Sequence, residues 1–91
     1  MPTAQSTTPS VARHGAELTF ETLGEDHAPL RVNRGEDTLL RVIDGIVRLV
    51  QDGCERLLGI GDEAIVPAGA AHRLSSAGGR ARVVIGFRTV S

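Results

Sequence analysis

GDEAIVPAGAAHRLSS, residues 61–76, is the most informative stretch of the chain. Residues 57–60 lead into it as a short apolar run, and Gly61 and Asp62 break that run. Ala64, Ile65 and Val66 are too few for a helix and read as a short strand. Pro67, Ala68 and Gly69 make the next turn, with Pro67 presetting φ at the second position of a type I turn and Gly69 falling at the fourth. His72 then sits just inside the following strand, in a chain whose other histidines are His14 and His27.

On either side of this stretch the pattern is one of short strands. Residues 1–12 are rich in Thr, Ser and Pro and cannot offset their ordering entropy by burial, so they read as a disordered tail ahead of a single domain over 13–91. Leu18, Phe20 and Thr22 alternate with Glu17, Thr19 and Glu21, which predicts a half-buried strand with its Leu18 and Phe20 side inward. Residues 24–29 form a loop carrying a solvated His27. A short strand at 30–33 and a turn at 34–37 follow, and 38–43 is a dense apolar strand. Asp44 and Gly45 turn or kink the chain, and 46–51 continues in β-branched residues. Asp52-Gly53 is the signal for a type I′ hairpin, with 54–60 returning. After residues 73–76, Gly78 and Gly79 turn the chain into a last strand, 81–90, with Val83, Ile85 and Phe87 on one face. No three-to-four spacing persists long enough for a helix, so the chain reads as an all-β barrel or sandwich.

Composition limits what such a barrel can do. A domain of 91 residues buries only about 60–65% of its unfolded surface. With two Phe and no Trp or Tyr, Val, Ile and Leu carry most of the core. A homodimer is the expected remedy, through outward residues such as Ile46 or Val50 or by exchange of an N-terminal strand. A formal charge of −1 with interspersed signs provides no basic face for nucleic acid or a membrane surface. All ten basic residues are arginine, and an inward one can hold a carboxylate bidentately. Cys54 is the only cysteine, so no intrachain disulfide forms, and the first residues lack the pattern of a signal peptide. The expected location is the cytoplasm.

Gly61, Pro67, Gly69 and His72 match, position for position, a motif of Gly, five residues, Pro, one, Gly, two, His. Val42, Ile43, Asp44 and Gly45 match the run that ends a companion motif. In both respects the chain resembles a small single-domain cupin of the conserved-barrel, RmlC-like type, over roughly residues 17–88. The resemblance implies a jelly-roll β-barrel of two facing antiparallel sheets. Its one departure in the second motif is Ser76, where Asn is usual.

In metal-binding cupins a His-x-His pair and a Glu precede the first-motif glycine and join the second-motif His as a four-ligand set. Counting back from Gly45, the Glu position falls on Thr38 and the two His positions on Val32 and Arg34. Moving the count by one residue brings Asp37 to the Glu position and Arg31 and Asn33 to the His positions. Either way most ligands are missing, and the resemblance leaves His72 as a metal ligand only if a divalent Zn, Fe, Mn or Ni is bound.

The expected function is therefore the binding of a small anionic organic molecule in the barrel without a tightly held metal, extending to isomerisation or cyclisation. His72 is the candidate acid or base, and Arg34, Thr38 and His72 are the candidate ligand contacts. Two alternatives stand beside it: a metal-dependent dioxygenase or isomerase with an atypical ligand set, and a non-catalytic sensor or assembly module.

Overall fold

The computed structural model describes residues 18–89, which form seven strands and, within that span, no helix. These are β1 (Thr19–Leu23), β2 (Glu36–Asp44), β3 (Val47–Gln51), β4 (Cys54–Leu58), β5 (Glu63–Val66), β6 (His72–Ser76) and β7 (Ala81–Thr89). They pair antiparallel in two sheets, ordered β1-β7-β2-β5 and β4-β3-β6. The reading of 1–12 as a tail concerns residues outside those described.

The period-2 pattern decides which side chains meet between the sheets. Leu40 and Val42 of β2 and Val83 and Ile85 of β7 face Val47 and Leu49 of β3 and Leu74 of β6, all nearly or wholly excluded from solvent. Each such side chain is worth about 1.5–3 kcal/mol on burial, and these aliphatic residues supply the core in place of aromatics. The chain crosses between the sheets at Asp44, Gly45 and Ile46, after a register shift between Val42 and Asp44. Asp52 and Gly53 both have positive φ, 52° and 76°, as the type I′ hairpin between β3 and β4 requires.

Three local readings of the sequence need correction. The inward face of β1 is the opposite of the expected one: Leu23 is buried, whereas Phe20 is 61% exposed. Leu23 lies opposite Ala81, which is itself fully buried, and this fixes Thr19 and Glu21 on the same inner side. Polar residues are tolerated there because this end of β1 borders an open cleft. The turn after β5 is also offset by one residue. Ala70 N donates to Pro67 O at 3.0 Å, so Pro67 is the first residue of the turn and Gly69 the third. Gly69 has φ +86°, the positive value that the third position of a type II turn demands and that glycine adopts without strain.

Residues 30–33 do not form a full strand; one isolated bridge joins Arg31 to His72. The link is nonetheless firm, because Arg31 N donates to His72 O at 2.8 Å, His72 N to Arg31 O at 2.9 Å, and Gly69 N to Asn33 O at 2.7 Å. The segment between β1 and β2 is thus strapped across the end of the two sheets, and the walls of a cleft result.

Candidate functional site

The cleft has a volume of about 400 Å³. Its polar side chains are Thr19 and Glu21 from β1, Arg31 and Asn33 from the strap, Thr38 from β2 and His72 from β6. Ile85 and Phe87 of β7, with Leu30 and Val32 of the strap, supply the apolar part.

His72 is 3% exposed, and neither ring nitrogen has a hydrogen-bond partner among the described residues. A buried polar group left without a partner costs about 1–3 kcal/mol, and at the wall of the cleft both ring nitrogens are open to hydrogen bonding. Burial is the main reason that its pKa lies below the ordinary histidine value of 6.5. The Ala70 backbone works the other way, though it meets the geometry of a hydrogen bond to neither nitrogen, and the Arg31 cation lowers the pKa further. The ring is therefore neutral near pH 7, with one N–H to donate and one nitrogen to accept.

Arg31 is held from β1. Its Nη2 donates to Glu21 Oε1 at 2.8 Å and its Nη1 to Glu21 Oε2 at 3.1 Å, a two-pronged pair that fixes the guanidinium plane. Its Nε is buried without a partner. Asn33 is committed to shaping its own turn: Oδ1 accepts from Gly35 N at 3.1 Å and Glu36 N at 3.0 Å, and Nδ2 donates to Glu36 Oε1 at 3.2 Å.

Thr38 and His72 thus both line the cleft, while Arg34 is exposed and lies outside it. The arginine brought to His72 is Arg31. The polar side chains in the cleft combine the two ways of counting back from Gly45: Arg31 and Asn33 from the shifted count, Thr38 from the direct one. Glu21 was missed altogether, because pairing it with the polar face of β1 placed it outside. Reading the alternation through Leu23 rather than Phe20 recovers it. Asp37 turns away from the cleft, taking Arg88 Nη2 at 2.7 Å and Ala68 N at 2.9 Å. Its pKa is lowered, chiefly by the Arg88 hydrogen bond and then by that from Ala68.

No family model and no curated protein matches the chain. Solved structures do. A predicted oxalate decarboxylase from Thermotoga maritima is similar with a TM-score of 0.73 at 16% identity, over 87% of this chain and 72% of that one. A cupin protein from Bacteroides fragilis is similar with a TM-score of 0.70 at 14% identity, covering 84% and 67% of the two chains. The chain has a cupin-type jelly-roll fold. A cupin-2 domain protein from Shewanella frigidimarina agrees, with a TM-score of 0.69 at 12% identity over 80% and 69%.

Within this cupin fold the side chains do not suit a divalent transition metal. Where metal-binding cupins have two histidines and a glutamate beside the second-motif histidine, the cleft offers a guanidinium, an amide already engaged with backbone N–H groups and a neutral hydroxyl. The one carboxylate in the cleft has both oxygens on Arg31. Among the described residues no three of His, Cys, Asp and Glu gather into a group that could hold a metal.

Proposed function

We propose that this cupin domain binds a small organic molecule in its cleft without a tightly held metal, with His72 and Arg31 as the principal polar contacts and Thr38 beside them. The observation that carries this reading is the buried His72 ring with both nitrogens unpartnered at a cleft of about 400 Å³, large enough for a molecule of sugar or small-acid size. The neutral imidazole also suits proton movement: it can take a proton from one atom of the ligand and return it at another, the requirement of an isomerisation or cyclisation with no net redox change.

A thermal-shift screen over sugars, polyols and carboxylates in the presence of EDTA tests the reading, since a ligand raises the melting point only by binding the folded state. At least one compound is expected to raise it, and the shift is expected to vanish in His72→Leu. If no compound shifts the wild type, or the shifts survive in His72→Leu, the reading fails.

We also propose a homodimer. Ile46 is 50% exposed, and the outer face of the first sheet carries Phe20, 61% exposed, and Ile65, 52% exposed, near Leu39 and Val84. Light scattering at micromolar concentration is expected to give twice the chain mass; the mass of a single chain contradicts this.

A further inference from the structure

The charges in the cleft bear on which class of molecule it accepts. Of its lining residues only Glu21, Arg31 and His72 are titratable. Glu21 and Arg31 cancel across their two short hydrogen bonds. The expectation of an anionic ligand rests on an arginine whose charge is free to receive it, and Arg31 already gives one N–H of each terminal nitrogen to Glu21, which leaves the second N–H of each for a ligand but balances the charge, while its Nε–H is buried without a partner. A carboxylate that reaches the remaining N–H groups of Arg31 meets the Glu21 carboxylate at close range, on a guanidinium whose charge is already balanced, and is repelled.

The hydrogen-bonding inventory points the same way. A carboxylate has about four acceptor sites, and Arg31 uses two of those on Glu21, so about two remain for donors. The Thr19 and Thr38 hydroxyls each donate and accept. His72 presents one donor and one acceptor. A carboxylate ligand is an acceptor only and leaves Glu21 and the bare His72 nitrogen unmatched, whereas a hydroxyl matches either kind of partner. Phe87 and Ile85 offer an apolar surface for the carbon side of such a molecule.

We infer that the cleft selects an uncharged, hydroxyl-bearing ligand of the polyol or sugar class over a carboxylate of the same size, and that Glu21 is the residue setting this preference. The inference rests on the small-molecule reading above and adds the ligand class to it.

Matched pairs test it: D-glucose with D-glucuronate, D-galactose with D-galacturonate, and glycerol with glycerate, measured by thermal shift and, for any that bind, by calorimetric titration. The neutral member of at least one pair is expected to bind, at least about tenfold tighter than its acid, the scale on which a repelled charge discriminates. In Glu21→Gln, which keeps the side-chain shape and frees the Arg31 charge, the order within that pair is expected to reverse. If the acid binds tighter in each pair that binds, the inference is overturned while the cleft remains a ligand site. It is equally overturned if no pair binds but other carboxylates from the wider screen do, or if Glu21→Gln leaves the preference unchanged. If nothing binds from any class, the small-molecule reading falls with it.

Discussion

Arg31 and His72 face each other as an antiparallel pair across the mouth of the barrel, exchanging backbone hydrogen bonds of 2.8 and 2.9 Å. This contact sets the arginine that Glu21 orients beside the imidazole that lacks a partner. Both side chains are kept at some cost to the unliganded protein, and that cost is measurable.

Replacing His72 by Leu is expected to stabilise the ligand-free chain. The substitution removes two unpartnered buried nitrogens and adds apolar surface beside Ile85 and Phe87, for a gain of about 1–2 kcal/mol. Chemical denaturation reads this directly, and in a domain this small the melting point should rise by several degrees. A destabilised His72→Leu would mean that the ring is satisfied in the free protein.

The same burial makes stability depend on pH. Because the folded pKa of His72 lies below 6.5, the unfolded chain takes up the proton first as pH falls. Stability is thus flat above about pH 6.5 as far as this group is concerned, declines as pH drops below it, and levels once the folded ring is itself protonated. Urea unfolding from pH 8 to 5 should show the decline in the wild type and its loss in His72→Leu. Asp37 acts in a separate window: its lowered pKa contributes stability that is complete above 3.8 and lost as pH falls through the folded value.

Gly45 and Gly53 separate two reasons for a glycine. Both have positive φ, +75° and +76°. A Cβ on Gly45 would lie 2.5 Å from Arg80 O and 2.9 Å from Ala81 Cα, while one on Gly53 meets nothing within 4 Å. Gly53→Ala should cost about 1 kcal/mol from backbone strain alone. Gly45→Ala must also push the start of β7 away, and we expect a loss of more than about 3 kcal/mol or failure to fold. Equal losses in the two variants would contradict the close approach.

The sequence carried the scaffold more plainly than the site. Residues 61–76 and Gly45 are dictated by turn geometry and close backbone approach, which a linear pattern of glycine and proline records, and the core strands announce themselves by alternation. His72 and Thr38 were legible for the same reason, since they stand at fixed distances from those glycines. Arg31 emerged only from the shifted count and without a role, and Glu21 did not emerge at all. The strap between β1 and β2 follows neither helical nor strand periodicity, so its side-chain directions come from the bridge to His72, a contact about forty residues away in sequence. The facing of β1 turned on whether Phe20 or Leu23 marks the inner side, and only pairing with Ala81 settles that.

The most direct test of a cleft that works without a metal is elemental analysis of the chain purified without chelator, as wild type and as His72→Ala. The donor set of Arg31, Asn33, Thr38 and His72 predicts Zn, Fe, Mn and Ni each well below one equivalent in both proteins. One equivalent of any of them in the wild type, lost in His72→Ala, would contradict the account.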